Sequence, residues 1–118
     1  MATTSDAFAR TWVQAWNRRD LEGLLSHYAD DIEFRSPLAA KLLNEASGTV
    51  RGKQNLREYF AKALAAFPGD LGLELLGVYQ GVESLVVHFE VRGRRGAEVM
   101  EMNSDGLVRR ALAHSQVV

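Results

Sequence analysis

In residues 16–34, WNRRDLEGLLSHYADDIEF, the spacing of the apolar residues changes from that of a helix to that of a strand. Apolar residues recur at three- and four-residue spacing over Leu21–Tyr28, which predicts a short helix. Asp20 stands at the N-cap of this helix, where its carboxylate can accept hydrogen bonds from the free N–H groups of the first turn. Ile32 and Phe34 then alternate with polar residues, which predicts a strand directly after the helix.

Two further helices flank this stretch. The apolar spacing over Ser5–Arg19 predicts an amphipathic helix, and the same spacing returns over Leu56–Phe67. The second of these ends at Pro68-Gly69, because proline cannot continue a helix. Between the predicted strand and that helix, residues 38–52 are less regular and predict a loop with one helical turn, long enough to cover a neighbouring surface.

From residue 71 onward the pattern is strand-like. Apolar and polar residues alternate in four runs, Gly77 predicts a bulge, and Asp105-Gly106 predicts a tight hairpin turn. The predicted order is therefore helix, helix, strand, helix and four strands in an antiparallel meander. This is an α+β class, in which the helices can cover only one face of the sheet.

The composition of the chain excludes several classes of function. With 118 residues, the chain is expected to form one domain, residues 1–118. It has no cysteine, which excludes disulfides, cysteine-based zinc sites and thiol nucleophiles. A net charge of -1 argues against nucleic acid or a membrane surface as partner. No apolar run approaches the roughly 18 residues of a membrane span, so a cytoplasmic protein is expected.

Five short motifs carry a resemblance to a known family. They are Trp16–Glu22, His27–Phe34, Ser36-Pro37, Arg51–Lys53 and Asp105–Val108. In their order and spacing they resemble the SnoaL-like branch of the NTF2-like superfamily, which includes ketosteroid isomerases, polyketide cyclases and proteins without an assigned reaction. The resemblance implies a cone, in which a strongly curved, mostly antiparallel sheet wraps around three N-terminal helices and encloses a pocket.

The resemblance also implies positions for the catalytic groups. Where the isomerases carry a basic aspartate before a proline, this chain has Ser36, which has no useful basicity near neutral pH. Where they carry a tyrosine on the first helix, it has Trp12, which can donate one hydrogen bond. Glu98 aligns with their pocket aspartic acid. We therefore expect Glu98 to act as an acid or base with a pKa raised by burial, and Trp12 to act as a donor.

An alternative interpretation gives Glu98 no catalytic role. Glu98 can lie in solvent, or pair with Arg94 or Arg95 in the adjacent hairpin, whose basic run from Arg92 predicts a solvated tip. Tyr28 matches a family tyrosine, but its place in the apolar stripe of the second helix explains it as a packing residue.

Strand alternation and helix stripes predict the rest of the pocket wall. The expected ligand-binding residues are Trp16, Phe34, Ser36, Tyr59, Phe60, Val87, Phe89, Met100 and Ala113. Because this lining is mostly apolar, it suits a small hydrophobic molecule held by a few polar groups. Trp12 and Trp16 have the alternative role of core anchors between helix and sheet.

The three histidines do not have the spacing of a metal site, and neither a metal nor a cofactor is expected. By alternation, His88 and His114 project to the sheet face opposite the pocket, together with Val86 and Leu112. The resemblance implies that this outer face forms a homodimer.

Three functions follow as alternatives. The first is acid/base catalysis by Glu98 and Trp12 on a small apolar carbonyl or epoxide compound, of the isomerase, cyclase or hydrolase type. The second is a pocket that binds such a molecule without converting it. The third is a dimeric scaffold with a filled core. Whether the protein is an enzyme stays open at this point.

Overall fold

The computed structural model describes residues 4–117, which form four helices and six strands. The helices are α1 (Ser5–Asn17), α2 (Leu21–Leu25), α3 (Pro37–Leu42) and α4 (Lys53–Ala66). The strands are β1 (Tyr28–Arg35), β2 (Thr49–Arg51), β3 (Glu74–Gly81), β4 (Ser84–Val91), β5 (Arg94–Met102) and β6 (Val108–Ser115). The predicted α+β class is confirmed. Within residues 4–117, no helix combines the length and the apolar character needed to cross a membrane.

One sheet contains all of these strands, in the order β2-β1-β6-β5-β4-β3. Its neighbours are antiparallel except for β1 and β6, which run parallel. On one face of the sheet, α1 packs against β3 at one end while α4 packs against β1 and β2 at the other. The helices and the inner face of the sheet therefore enclose the core, as in the predicted cone. The largest fully buried side chains are Tyr28, Phe60, Leu24, Leu25, Ile32, Leu56, Met100, Val87 and Val108.

The prediction that the second helix extends to Tyr28 is wrong. Helix α2 begins after Asp20, whose carboxylate accepts from Gly23 N as predicted, but it ends at Leu25. Tyr28 is the first residue of β1, where it pairs with Val108, and the N–H of Val108 donates to the carbonyl of His27. This pairing between distant segments overrides the helical spacing of the local sequence.

Residues 38–52 contain the predicted helical turn and, in addition, a short strand that was not predicted. Ser36 caps α3, because its Oγ accepts from the N–H groups of Leu38 and Ala39, and β2 then returns antiparallel along the end of β1. Gly48 allows the return: its φ is +62°, and a Cβ there would lie 2.4 Å from the carbonyl oxygen of Ser36. The segment thus folds against the end of β1, next to the open end of the cone.

The four predicted C-terminal strands are present, with one change at their start. Strand β3 begins at Glu74 rather than at residue 71, because the side chain of Asn17 bonds both the N–H and the carbonyl of Leu73 at 2.9 Å. The bulge predicted at Gly77 is confirmed by the shift of register between Leu75 and Gly77. The cytoplasmic location and the homodimer through the outer face stay predictions.

Candidate functional site

A cavity of about 550 Å³ lies between the inner face of the sheet and the helices. Its mouth lies between α3, the loop from α4 to β3, the turn from β4 to β5, and the end of β6. Its walls are mainly aromatic and aliphatic, and both tryptophans of the chain are among the lining residues. A cavity of this size and polarity accommodates a small organic molecule.

Glu98 lies at the floor of this cavity with only 5% of its surface exposed. The register of the sheet places it on the inner face of β5, opposite Val87 on one side and Ala113 on the other. Burial raises the pKa of Glu98 to about 8, and the hydroxyl of Tyr28 lowers it only in part. The carboxyl group is therefore mainly neutral at pH 7 and can donate a proton.

A chain of hydrogen bonds leads to this carboxyl group. The indole Nε1–H of Trp12 donates to the hydroxyl of Tyr28 at 3.0 Å, and that hydroxyl donates to Oε2 of Glu98 at 3.4 Å. Because an indole N–H can only donate, it fixes the tyrosine oxygen as an acceptor and leaves the phenolic proton for Glu98. Burial and the nearby Glu98 raise the pKa of Tyr28 well above its usual range, so Tyr28 stays a neutral donor.

Ser36 and Tyr59 form the wall near α3. The Ser36 hydroxyl oxygen is already an acceptor in the cap of α3, at 3.1 Å from the N–H of Leu38. Burial raises the pKa of Tyr59 to about 12, with Ser36 lowering it and Glu98 raising it further. Neither group is a base at neutral pH, so this wall presents hydroxyl groups on an aromatic surface.

Phe89 and Gly96 shape the opposite wall. The Phe89 ring lies 5.6 Å from the Trp12 ring between centroids and crosses the neighbouring strand at Gly96. A Cβ on Gly96 would lie 2.6 Å from Cζ of that ring and 3.0 Å from the His114 carbonyl oxygen. A side chain at position 96 would therefore displace the ring, which makes glycine part of the shape of the cavity.

Comparison with known proteins agrees with the fold. The sequence model of the SnoaL-like domain matches residues 9–114. The chain belongs to the SnoaL-like family. A SnoaL-like protein of unknown function from Burkholderia thailandensis is similar to it at 38% identity and a TM-score of 0.90, over 96% of this chain and 94% of that one. No curated protein matches it.

More distant structures share the fold of this SnoaL-like protein. A candidate ketosteroid isomerase from Kribbella flavida has a TM-score of 0.68 at 20% identity, over 97% of this chain and 78% of that one. A candidate SnoaL-like polyketide cyclase from Shewanella denitrificans has a TM-score of 0.72 at 10% identity, over 95% of this chain and 90% of that one. The predicted superfamily and its cone fold are confirmed.

Most of the predicted pocket residues come together in the SnoaL-like domain. The cavity is lined by Glu98, Trp12, Trp16, Phe34, Ser36, Tyr59, Phe60, Phe89 and Ala113. Val87 and Met100 are placed elsewhere, since both are fully buried in the core and neither is among the lining residues. Met100 lies one row deeper than Glu98, between Leu85 and Ala111, where the cone is filled by side chains.

The role predicted for Trp12 needs correction. Its single N–H is bonded to Tyr28, so this donor is not directed at a ligand, and Trp12 instead orients the Tyr28 hydroxyl toward Glu98. The sequence interpretation did not place Tyr28 beside Glu98, where its hydroxyl joins Trp12 to the carboxyl group. The match of Tyr28 to a family tyrosine could have indicated this position. The sequence interpretation instead treated Tyr28 as a packing residue, because it follows the apolar spacing of the second helix.

The mouth of the SnoaL-like domain also differs from expectation. His114 lines it, although strand alternation predicts the outer face, because His114 lies near the end of β6 where the wall stops. Arg92 and Arg94 lie at the exposed hairpin tip that the sequence predicts, and they also line the mouth. Within residues 4–117, no group of three or more acidic or histidine side chains is arranged to hold a metal ion.

Proposed function

We propose that this SnoaL-like protein binds a small, mainly apolar carbonyl or epoxide compound and acts on it through Glu98 as a general acid and base. The observation that carries the proposal is a buried carboxyl group on the floor of an apolar cavity, where burial raises its pKa to about 8. Desolvation strengthens any hydrogen bond that such a group donates to a bound ligand.

The hydrogen bonds support the direction of proton donation. Since Tyr28 donates to Oε2 of Glu98, the carboxyl proton is favoured on Oε1, which leaves it for a ligand oxygen. Donation to a carbonyl oxygen promotes loss of a proton from the α-carbon, and donation to an epoxide oxygen promotes opening by water. The Glu98 carboxylate formed in this way can then take a proton back, which returns the site to its starting state.

A second candidate is a pocket that binds without conversion. It is favoured by Ser36, which stands where the isomerases of this superfamily carry their base and whose oxygen caps α3.

Glu98 is the one carboxyl group among the cavity-lining residues of the described chain. A reaction that needs two carboxylates is therefore disfavoured, whereas one carboxyl group and a bound water suffice for enolisation or hydration.

The test is conversion of a panel of small cyclic enones, ketones and epoxides, followed by NMR in D₂O so that proton exchange is also detected. The key variant is Glu98→Gln, which keeps the shape of the side chain but cannot give up a proton. The matched control is Glu101→Gln on the same strand, because Glu101 is paired with Arg109 outside the cavity.

We expect the wild-type protein and Glu101→Gln to convert the same compounds, and Glu98→Gln to be slower by about 10²–10⁴-fold. Equal rates for wild-type protein and Glu98→Gln would remove Glu98 from the mechanism. Tight binding of panel compounds with neither conversion nor exchange would establish the second candidate in place of the first.

A further inference from the structure

The mouth of the cavity carries a local excess of positive charge. Lys41 on α3 and two arginines at the turn from β4 to β5, Arg92 and Arg94, line it. Glu98 is the one acidic residue that lines the cavity within the described chain, and it lies buried on the floor. Since the whole chain has a net charge of -1, the cations at the mouth reflect local placement rather than a basic protein.

Two of these cations are not engaged by the protein. Within residues 4–117, neither Lys41 nor Arg94 takes part in a salt bridge or a side-chain hydrogen bond. Arg92 differs, because its guanidinium donates to the carbonyls of Pro68 and Asp70 at 2.6 and 3.1 Å. Arg95, beside Arg94 on the same strand, pairs with Glu90 at 3.5 Å on the outer face. Lys41 and Arg94 are thus exposed charges that remain available at the mouth.

The strand fixes the relation of one of these charges to the floor. Arg94, Gly96 and Glu98 alternate along β5 and share its inner face. At about 3.3 Å per residue, the backbone of Arg94 lies roughly 13 Å from that of Glu98. Between them, the ring of Phe89 covers Gly96 and gives the wall an aromatic surface. The wall therefore has an acid at one end, an apolar middle and a cation at the other end.

We propose that the ligand is an amphipathic organic acid, whose carboxylate is held by Lys41 and Arg94 at the mouth while its apolar body extends to Glu98. This inference rests on the proposed function and names the substrate class for the same site. A guanidinium and an ammonium both pair favourably with a carboxylate, and arginine can do so through two hydrogen bonds. Because Glu98 is mainly neutral, it does not repel an anion that enters the cavity.

The test compares 2-naphthoate with its methyl ester, which has the same apolar body without the charge. Binding is measured by calorimetry and by the fluorescence of Trp12 and Trp16, which both line the cavity. The variant is the double substitution Lys41→Gln/Arg94→Gln. The control is Arg95→Gln, which removes a charge from the same strand but not from the mouth.

We expect the wild-type protein and Arg95→Gln to bind naphthoate at least tenfold more tightly than the ester at low salt. The double variant should lose about tenfold in affinity for naphthoate and keep its affinity for the ester. Raising the salt concentration should weaken naphthoate binding alone, because exposed charges are screened.

The two proposals fail in different ways. If the ester binds as tightly as naphthoate, or if the double variant binds naphthoate as well as wild-type protein does, the proposal of an amphipathic acid as the ligand is wrong. The proposal of an apolar binding pocket is then still supported, because both compounds bind. If neither compound binds, and octanoate and methyl octanoate also fail to bind, the ligand-binding pocket itself is wrong and the inference falls with it.

Discussion

The floor and the mouth of the cavity both carry ionisable side chains, but in opposite surroundings. At the floor, Glu98 is buried, bonded to Tyr28 and held mainly neutral. At the mouth, Lys41 and Arg94 are exposed to solvent. Burial favours the neutral form of the first group, whereas water screens the charges of the other two.

This difference separates two tasks. A neutral acid in a dry site can transfer a proton, but it contributes little long-range attraction. Exposed cations attract and orient an anion, but salt weakens them and they do not exchange protons at neutral pH. We therefore assign chemistry to the floor and ligand selection to the mouth. Substitutions at the floor should change stability and its pH dependence, while substitutions at the mouth should leave both nearly unchanged.

The largest effect is expected for Glu98→Gln as pH rises. Folded Glu98 has its pKa raised to about 8, so between about pH 5 and pH 8 the folded protein keeps a proton that the unfolded chain has released. Wild-type stability therefore falls across this window, by about 1.4 kcal/mol per pH unit from this group. Glutamine does not titrate, so the variant should gain stability relative to wild-type protein by up to a few kcal/mol at pH 8.

Urea unfolding at several pH values between 5 and 9 measures this difference. Glu101→Gln is the control, since its carboxylate is partly exposed and paired with Arg109. Parallel stability curves for wild-type protein and Glu98→Gln would mean that Glu98 is not held neutral, and the contrast between floor and mouth would disappear.

Tyr28→Phe should have the next largest effect. It removes the hydroxyl that accepts from Trp12 and donates to Glu98, which leaves a buried indole N–H unpaired at a cost of about 1–3 kcal/mol. Loss of the donor should also raise the pKa of Glu98 further, because the Tyr28 hydrogen bond favours its charged form. Titration of the Glu98 carboxyl carbon by ¹³C NMR measures the shift.

Two further variants sharpen this result. Tyr79→Phe removes an exposed hydroxyl, on a residue with 62% of its surface accessible, and should change neither stability nor the pKa of Glu98. The double variant Trp12→Phe/Tyr28→Phe should cost less than the sum of the two single variants, because the unpaired indole N–H is gone. An additive result would show that Trp12 and Tyr28 do not act as a unit.

The floor was more predictable than the mouth for a physical reason. Glu98 was predicted from its alignment with the pocket aspartic acid of the isomerases, and strand alternation within the local sequence agrees with that position. The availability of Arg94 depends on which segments surround the hairpin, and residues 37–42 and 67–73 reach it only through the tertiary fold. The exposed hairpin tip was therefore predictable from the sequence, whereas the position of Arg92 and Arg94 at the mouth of the cavity was not.

The same limit explains the two errors in the fold. Tyr28 follows a helical stripe, and only its pairing with Val108, far along the chain, makes it a strand residue. The short strand β2 has three residues, too few to show a period, and is defined by its pairing with β1. Elements with long periodic stretches, such as α1 and α4, were predicted close to their observed ends.

Gly96→Ala tests the wall between floor and mouth. The added methyl group would meet the ring of Phe89 at 2.6 Å, so the ring must move. We expect a loss of about 1–3 kcal/mol, nearer the lower value because the ring can tilt into the cavity, together with weaker binding of naphthoate and its ester alike. Gly81→Ala is the control, since its methyl group would meet only the Ser84 hydroxyl, which can rotate away.

The smallest effect on global stability is expected for Arg92→Gln. The guanidinium bonds the carbonyls of Pro68 and Asp70 and lies 5.7 Å from the centre of the Phe67 ring, so it ties the loop from α4 to β3 to the β4–β5 turn. These contacts are exposed, and their loss should lower the free energy of unfolding by less than about 1 kcal/mol. Amide hydrogen exchange in residues 67–73 should nevertheless become faster, because local opening of this loop no longer has to break the contacts of the guanidinium.

The control is Arg95→Gln, which should leave the exchange in residues 67–73 unchanged. If Arg92→Gln instead destabilised the protein as much as Tyr28→Phe does, the mouth would belong to the same cooperative unit as the floor, and the division of tasks between them would fail.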